Sequence, residues 1–304
     1  MKALKHKNAP ELRFGLDLGG TKIEGAILDK KGRVTFRKRV DTNQEEGYET
    51  ILKNLALLYD QMKKDAGGKY HTLGIGTPGA ISLRTGKLKN SNTVCLNGRL
   101  SLKILERLFK RPLTIENDAN CFAMAEALLG AGRGYQRVFG VIIGTGCGGG
   151  IVERGAMIKG LQGIAGEWGH MAIDPKGPAC YCGSRGCVET FISGGGLEKL
   201  YRNQYKKALP LPEIVAAFRM KDRRAMKFMG QFFRNFGRSM ANLINVLDPD
   251  VVVLGGGVSN IVELYTVGVH EVKKQVFGDD FRTLIVKHQL GDSAGVIGAA
   301  LLGK

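Results

Sequence analysis

The sequence predicts an α/β fold built from two related lobes. A strand, a glycine-rich turn and a second strand begin at Leu12, and the same series begins again at Arg137. Helical spacing of apolar residues follows in each half, as expected where helices cover a sheet. The length of 304 residues is enough for two hydrophobic cores. These observations indicate two α/β lobes that face a cleft.

The first half opens with three strand-like segments. Leu12–Leu18, 23–28 and 33–40 are rich in apolar residues, and a polar turn at 29–32 separates the last two. Apolar residues then recur at helical spacing from Tyr48 to Met62, and two glycines at 67–68 end this helix. We predict further elements in the order strand 73–76, helix Leu102–Phe109, strand 112–116 and helix 119–129.

The second half repeats the opening pattern. Arg137–Ile143 and 150–154 are predicted strands on either side of a glycine-rich turn. A long helical region is predicted at 222–246, where apolar residues again follow helical spacing. An apolar strand at 251–254 and helices near 260–277 and 294–303 complete the prediction.

The composition indicates a globular protein with a strongly basic surface. Apolar residues make up 43% of the chain, and the formal net charge is +17. The basic residues alternate with apolar ones instead of forming one run, which favours a solvated surface that attracts anionic ligands. Nucleic-acid binding is the alternative, but no recognition helix or aromatic platform supports it.

No membrane-spanning or secretory segment is predicted. No apolar run reaches the length of about 18 residues that a membrane span requires. The basic residues at the start of the sequence are not followed by an apolar h-region. The predicted location is therefore cytoplasmic, with neither a membrane nor a nucleic acid as an expected partner.

Three glycine-rich segments are candidates for phosphate binding. They are DLGGTK at 17–22, GTGCGGG at 144–150 and GGGVS at 255–259. Glycine lets backbone N–H groups approach an anion closely, and a neighbouring hydroxyl can donate a further hydrogen bond. A tight hairpin turn is the alternative for any one segment, but three segments at matching strand ends favour phosphate. The pattern GxGxxG also occurs at 74–79 and 144–149, but neither match opens a helix, which argues against a dinucleotide-binding fold.

A carboxylate lies where a predicted strand passes into a helix. Asp118, in the segment ENDAN at 116–120, is suited to two roles, the N-cap of the helix or a general base aligned on a substrate hydroxyl. The sequence leaves both interpretations open. Glu167, His170 and Glu189 add two carboxylates and an imidazole, each of which would by itself suit a surface or structural role.

Half of the six cysteines lie within one short loop. Cys180, Cys182 and Cys187 follow His170 and supply three thiolates and one imidazole, a complete tetrahedral set for zinc. A disulfide is disfavoured in a reducing cytosol, and a bridge between Cys180 and Cys182 would close a strained small ring. Four protein ligands leave no open position on the metal, so we predict a structural zinc. The alternative is a flexible loop with unligated cysteines.

Together these motifs resemble the ROK family (repressors, open reading frames and kinases) of sugar kinases. The shared motifs are DLGGTK at 17–22, GTG at 144–146, GEWGH at 166–170, CYCGSRGCVE at 180–189 and LGGG at 254–257. The resemblance implies an actin/hexokinase-like ATPase fold, with duplicated βββαβαβα-type lobes around an interlobe cleft. It assigns one lobe to 1–117, completed by a helix at 293–304. The other lobe is at 118–292 and carries the zinc loop at 170–187.

The resemblance also implies that the protein transfers phosphate from ATP, with Mg²⁺, to a hexose 6-hydroxyl, and that Asp118 is the general base. The residues expected to bind the sugar are Gly79, Asn92, Asn117, Asp118, Glu167, His170 and Glu189. The residues expected to bind ATP are Asp17, Gly19, Gly20, Thr21, Lys22, Gly144, Thr145, Gly146, Gly148, Gly255, Gly256, Gly257 and Ser259. Asp17 would lie near the Mg²⁺ through water. His170 would give one ring nitrogen to zinc and present its other edge to the sugar.

Within the family, the chain is most similar to bacterial fructokinases of the mannose/fructose type. The segments that indicate this are NTVCLNG at 92–98, the Trp in GEWGH, CYCG at 180–183 and ETFISG at 189–194. Cys95 is a departure, because a Trp is expected there. A glucose, mannose or N-acetylglucosamine kinase is the alternative. A DNA-binding sugar sensor is disfavoured because only about a dozen residues precede the first glycine loop. A homodimer is compatible with this interpretation.

Overall fold

The computed structural model describes residues 10–91 and 93–303. Its strands are β1 (Leu12–Leu18), β2 (Lys22–Asp29), β3 (Val34–Asp41), β4 (His71–Thr77), β5 (Ala80–Ile81), β6 (Leu88–Lys89), β7 (Thr114–Asn117), β8 (Arg137–Ile143), β9 (Cys147–Glu153), β10 (Ala156–Ile158), β11 (Val251–Gly255) and β12 (Leu284–Lys287). Its α-helices are α1 (Tyr48–Asp65), α2 (Leu102–Phe109), α3 (Asp118–Leu129), α4 (Val188–Ile192), α5 (Gly194–Tyr205), α6 (Leu211–Arg219), α7 (Arg223–Leu247), α8 (Val267–Lys273) and α9 (Ala294–Leu302).

The chain divides into two compact units. Of the described residues, the first contains 10–91, 93–125 and 292–303, and the second contains 126–291. The division falls inside α3, shortly after the boundary predicted at residue 117. The first turns of α3 belong to the first unit because they pack against α9, where Gly298 leaves no room for a Cβ beside the backbone of Cys121.

The first unit is organised around a five-stranded sheet in the order β3-β2-β1-β4-β7. β1, β2 and β3 form an antiparallel meander, and β1, β4 and β7 run parallel to one another. The helix α1 covers one face, where its buried side chains include Ile51, Leu55 and Met62. The opposite face packs on α9, and the backbone of Gly15 in β1 approaches that helix too closely for a side chain.

The second unit repeats this topology. Its five-stranded sheet has the order β10-β9-β8-β11-β12, again an antiparallel meander followed by two parallel strands. Its core is rich in aromatic residues from α7, among them Phe232, Phe233 and Phe236. The matching strand orders confirm that the two halves are α/β units of one design.

The predicted elements are largely present, with differences where local spacing was ambiguous. The helix predicted near 260–277 is an α-helix only at Val267–Lys273, preceded by 3₁₀ turns at Gly257–Asn260 and Val262–Tyr265. The long helix of 222–246 is Arg223–Leu247, with the Asp222 side chain accepting N–H bonds at its start. Among the described helices, none combines the length and apolar character needed to cross a membrane.

Candidate functional site

A row of paired residues crosses the first sheet at the ends of β1 and β4. Asp17 lies opposite Glu24 on one side and Gly76 on the other, and residues paired in this way share a face. Asp17 is half-buried. Burial, reinforced by the carboxylates of Asp118 and Glu24 and opposed by Arg39, raises its pKa to about 7. Ionisation of the Asp17 carboxylate therefore costs free energy. Groups with such shifted pKa values are common at functional sites.

Glycine backbone surrounds the Asp17 carboxylate. A Cβ on Gly295, in the first turn of α9, would lie 2.6 Å from Asp17 Oδ2, and a Cβ on Gly76 would lie 3.2 Å from Oδ1. The position of the carboxylate therefore depends on two residues without side chains. Gly295 was not among the predicted site residues, because its position in an apolar helix gives no local signal.

Glu24 joins the start of α9 to the outer strands of the sheet. Its carboxylate is buried and accepts hydrogen bonds from Arg37 Nε at 2.5 Å, Arg39 Nε at 2.9 Å and Ser293 Oγ at 3.1 Å. A buried carboxylate with these charge-assisted partners is satisfied despite its low exposure. Glu24 thus fixes the helix start that faces Asp17.

The first glycine loop is a closed turn between β1 and β2. Gly19 N–H donates to the carbonyl of Lys22 at 3.0 Å, and a Cβ on Gly19 would approach that carbonyl to 2.8 Å. The fully buried Thr42 supports the turn from behind, with its hydroxyl donating to Gly19 O and its N–H donating to Thr21 O. Gly20 is half-exposed, and Thr21 and Lys22 are exposed. The backbone of the loop is therefore held by hydrogen bonds, while Gly20, Thr21 and Lys22 remain accessible to solvent.

Asp118 is the exposed first residue of α3, but its neighbour provides the cap. Asn117 Oδ1 accepts the Asn120 N–H at 2.7 Å, the contact that defines an N-cap side chain. Asn120 Nδ2 also donates to Glu116 Oε2 at 3.1 Å. Asp118 Oδ1 accepts the N–H of the adjacent Ala119 at 2.8 Å. The side-chain cap of α3 is therefore Asn117 and not Asp118, which differs from the N-cap interpretation of Asp118.

One further predicted sugar-binding residue, Gly79, directly precedes β5. Gly79 has φ +90°, and a Cβ there would lie 2.4 Å from the carbonyl of Lys89, so only glycine fits. Asn92 lies outside the described residues. Asn97, which the prediction did not include, bonds to the backbone of Ser91 through both its carbonyl and its amide.

The second glycine loop is tied to a carboxylate. Gly144 N–H donates to Gly146 O at 2.9 Å, and Cys147 N–H donates to Glu189 Oε2 at 2.9 Å. A Cβ on Gly146 would lie 2.8 Å from the same carboxylate oxygen. Thr145 at the loop tip is exposed. Glu189, predicted to bind sugar, therefore lies against the loop predicted to bind phosphate.

The segment with Glu167 and His170 is anchored by the single tryptophan. Trp168 is buried, its Nε1 donates to Gly148 O at 3.1 Å, and its ring packs edge-on against Phe139 of β8. The 3₁₀ turn Trp168–His170 leaves the Glu167 side chain exposed and His170 half-buried. Trp168 was noted only as a subgroup feature. Its indole is what fixes this segment on β9.

His170, Cys180, Cys182 and Cys187 lie together, with one ligand atom from each within 4.8 Å of the others. His170 Nδ1 is 3.7 Å from Cys180 Sγ, and the sulfurs of Cys182 and Cys187 are also 3.7 Å apart. Tetrahedral zinc with Zn–S bonds of about 2.3 Å separates its sulfur ligands by about 3.8 Å. All of these cysteines are free thiols, and a disulfide would need about 2.05 Å. The donor set fits zinc.

The backbone brings the ends of this loop together. Ile173 N–H donates to Gly186 O and Val188 N–H donates to Met171 O, so the two ends pair like short strands. Gly186 has φ +67°, and a Cβ there would collide with the carbonyl of Asp174. The N–H of Ser184 holds the pKa of the exposed Cys182 thiol below its usual value, which favours the thiolate that a metal requires.

The third glycine loop follows β11, and its residues differ in exposure. Gly257 is exposed, Gly256 is half-exposed, and Gly255 is buried in the strand. Ser259 is fully buried, and its hydroxyl donates to Gly256 O at 2.6 Å. The Tyr265 hydroxyl donates to Ser259 O at 2.8 Å. Ser259 was predicted to bind nucleotide, but its side chain faces the protein interior and supports the loop.

The start of α5 lies directly behind the second glycine loop. Ser193 Oγ caps this helix by accepting the Gly196 N–H at 3.0 Å, and Gly194 N–H donates to Gly144 O at 2.7 Å. A Cβ on Gly195 would lie 2.9 Å from Thr145 O. Sequence reasoning did not predict this helix. Ser193 is a typical N-cap residue, but the three glycines after it are poor helix formers and suggested a loop.

The comparisons with known proteins agree with this arrangement. A family model described as "ROK family" matches residues 13–304. An N-acetyl-D-glucosamine kinase of Histophilus somni is 38% identical over 300 residues, covering 95% of this chain and 98% of that protein. An N-acetylgalactosamine kinase, AgaK, of Shewanella sp. is 36% identical over 298 residues, covering 95% and 96%.

Solved structures give the same result. A ROK hexokinase from Thermus thermophilus has a TM-score of 0.88 at 34% identity, covering 96% of this chain and 97% of that one. A ROK family glucokinase from Streptomyces griseus, solved with glucose and AMPPNP, has a TM-score of 0.76 at 29% identity, covering 96% and 99%. The actin/hexokinase-like fold class is thereby confirmed. The family model, the relatives and the duplicated fold together show that the chain belongs to the ROK family.

Proposed function

We propose that the protein is an ATP- and Mg²⁺-dependent kinase that phosphorylates the 6-hydroxyl of an N-acetylated hexosamine, with N-acetyl-D-glucosamine as the preferred sugar. Fructokinase was the first prediction from the sequence, and an N-acetylglucosamine kinase was among its alternatives. The relatives described above favour that alternative, because their names specify N-acetyl-D-glucosamine and N-acetylgalactosamine. Identity of 36–38% over almost the full chain supports a shared substrate class more strongly than the short segments that resemble fructokinases. A cytoplasmic location remains a prediction.

The observation that carries the chemistry is the exposed carboxylate of Asp118. Because Asn117 provides the helix cap, the Asp118 carboxylate can accept a proton without loosening the start of α3. A general base must have an accessible oxygen to reach the hydroxyl it deprotonates. Asp118 would take the proton of the sugar 6-hydroxyl. The hydroxyl oxygen then attacks the terminal phosphorus of ATP, and ADP leaves.

The glycine loops would hold the nucleotide. The exposed Thr21 and Thr145 have hydroxyls at the tips of closed turns, where glycine N–H groups are also available to phosphate oxygens. Asp17 supplies the hard oxygen ligand that Mg²⁺ prefers, directly or through water. Mg²⁺ bound with ATP would neutralise charge on the phosphates. It would also offset the electrostatic cost that keeps the pKa of Asp17 near 7.

The sugar hydroxyls would be held by Glu167, His170 and Glu189, together with Asn117. The bond between Cys147 N–H and Glu189 gives this proposal a physical link, since a sugar-binding carboxylate is oriented by the phosphate loop itself. Zinc bound by His170 and the three cysteines would fix the conformation of the loop that carries them. Glu189 lies two residues after Cys187, so its position would be fixed with the loop. The role of the zinc is structural, because four protein ligands complete its coordination.

The substrate is tested by measuring ADP release from ATP with a panel of sugars. We expect the highest kcat/KM with N-acetyl-D-glucosamine, lower values with N-acetylgalactosamine and glucose, and the lowest with fructose. A kcat/KM for fructose above that for every N-acetylated sugar would overturn the substrate assignment and restore the fructokinase prediction.

The base is tested with Asp118→Asn. We expect kcat to fall by roughly 10²- to 10⁴-fold, the range for loss of a general base, while sugar binding is retained. Asp65→Asn is the matched control, because Asp65 is an exposed carboxylate at the end of α1 in the same unit. Near-normal turnover of the Asp118 variant would remove Asp118 from the chemistry.

A further inference from the structure

A cavity of about 270 Å³ lies in the second unit, with walls that come mainly from α5 and α7. Its described lining contains none of the residues proposed to bind sugar, nucleotide or metal. The apolar part of the lining consists of Ile173, Phe191, Leu197, Leu200, Phe228 and Phe232. Ligand pockets combine such an apolar surface with a few placed polar groups, and the volume here limits a ligand to a small molecule.

The first polar group of this cavity is the side-chain amide of Asn235. Asn235 lines the cavity although it is only 7% exposed. Its Oδ1 accepts a hydrogen bond from Gln231 Nε2 at 3.0 Å, and Gln231 Oε1 accepts one from Arg234 at 2.8 Å. These bonds fix the orientation of the amide, yet no group in the described part of the chain accepts from Asn235 Nδ2. A ligand that accepted this bond would satisfy a donor that the protein leaves unpaired.

The second polar group is the guanidinium of Arg238. Arg238 follows Asn235 by three residues on the same face of α7, lines the cavity, and forms no ion pair with any described residue. Its planar fork of N–H groups matches a carboxylate. Asp174 is the one carboxylate in the described lining, and its Oδ1 accepts the Lys176 N–H at 2.9 Å. Because Asp174 would repel a second negative charge, a singly charged acid fits better than a phosphate dianion.

We propose that this cavity binds a small monocarboxylic acid with an apolar body, and that the bound acid is an effector of sugar binding. The carboxylate accepts hydrogen bonds from Arg238 and from Asn235 Nδ2. The apolar body covers the half-buried side chains of Phe191 and Leu200. The binding site is independent of the proposed function, whereas the effect on sugar rests on it.

The effect on sugar follows from the position of the cavity beside the segment that carries Glu189. Phe191 lies two residues after Glu189 in α4. Ile173 N–H donates to Gly186 O at 2.9 Å, a bond that holds the end of the zinc loop. An acid packed against both side chains would restrict the motion of these two segments. Sugar binding would then cost less ordering at Glu189, so the acid should strengthen it.

The experiment titrates the protein with 4-fluorophenylacetate and follows binding by fluorine NMR without sugar or ATP. 4-Fluorophenethylamine is the matched ligand, because it has the same ring and the opposite charge. Arg238→Gln and Asn235→Leu each remove one of the two donors, and melting temperatures show whether each variant is folded. Lys227→Gln is the control, because Lys227 is an exposed cation of α7 outside the described lining and forms no ion pair with any described residue.

We expect a Kd of roughly 1 mM for the acid, a weak value that suits so small a ligand, and no saturable binding of the amine. Arg238→Gln should raise the Kd by about 10-fold, because a charge-assisted hydrogen bond is lost. Asn235→Leu should raise it by about 3- to 10-fold. Lys227→Gln should change it by less than about 2-fold, since an exposed charge outside the cavity is screened by salt. Saturating acid should lower the KM for sugar by about 5-fold in the wild type.

Absence of saturable binding of the acid would overturn the proposal. So would binding of the amine as tight as that of the acid, or a Kd that neither folded donor variant raises. An acid that binds as expected but leaves the KM for sugar unchanged would overturn the effector role. A different preferred hexose would overturn only the choice of sugar for the KM assay, because binding of the acid is measured without sugar.

Discussion

Replacing Asp17 by asparagine is expected to stabilise the protein at alkaline pH while strongly reducing turnover. Asp17 is a half-buried carboxylate whose pKa is raised to about 7, first by burial and then by Asp118 and Glu24. A group proposed to face Mg²⁺-ATP thus carries its negative charge at a cost when the nucleotide is absent. Asparagine keeps the size of the side chain and removes the charge.

The sign follows from proton binding. Between pH 3.8 and about 7 the folded protein holds a proton on Asp17 that the unfolded chain has released, so stability falls as pH rises through this window. Above pH 7 the full penalty applies, roughly 4 kcal/mol from the difference between the two pKa values. Water reaches part of the side chain, so we expect about half of that, roughly 2 kcal/mol. For a unit of this size this raises the melting temperature by roughly 4–8 °C.

The assay is thermal melting without Mg²⁺ or ATP at pH 5 and pH 8. The melting temperature of Asp17→Asn should exceed that of the wild type at pH 8, and by clearly less at pH 5. Asp41→Asn, at an exposed carboxylate on β3, should show neither effect. Equal differences at the two pH values, or a variant less stable than wild type at pH 8, would refute the reasoning, because the carboxylate would then be stabilised by its surroundings.

Three further predictions concern other parts of the molecule. Elemental analysis should find about one zinc per chain, lost in Cys182→Ser, and a chelator should lower the melting temperature of the wild type only. Gly146→Ala puts a Cβ 2.8 Å from Glu189 Oε2, so the KM values for sugar and for ATP should rise together at unchanged melting temperature. A rise in the KM for ATP alone would show that this loop does not position the Glu189 carboxylate. The fully buried Glu126 carboxylate accepts N–H bonds from Ala131, Gln289 and Leu290, so Glu126→Gln should lower the free energy of unfolding by about 2–3 kcal/mol in denaturant titrations, and a neutral result would contradict this.

The parts of the fold that the sequence predicted are those with strong local periodicity. The two meanders, the helix α1 and the long helix α7 each repeat apolar residues at the period of their own element, so each was assigned close to its observed bounds. The short helices α4 to α6 were missed. Their starts are a cysteine loop, a glycine run and a Leu-Pro pair, and the contacts that order them come from α7 and the glycine loops.

In the candidate site, the sequence predicted residue types but not side-chain directions. The four candidate zinc ligands could be named because the donors crowd into one short stretch, and the structure brings their ligand atoms together. Ser259 was predicted to bind nucleotide because it lies in a glycine loop. Only its burial in the structure shows that the hydroxyl points inward. Gly295 contacts Asp17 across a very long separation in sequence, which no local pattern can reveal.

The first unit is built from two separate stretches of the chain, and this affects how it folds during synthesis on the ribosome. Its sheet packs on α9, whose backbone approaches Gly15 and Gly74 so closely that no side chain would fit, yet α9 is translated after the whole of the second unit. The second unit is one uninterrupted stretch, 126–291. While the chain is being made, residues 12–117 must therefore wait with one apolar face uncovered until the second unit has emerged. The nascent first unit therefore exposes apolar surface, of the kind that chaperones bind, until α9 has been synthesised.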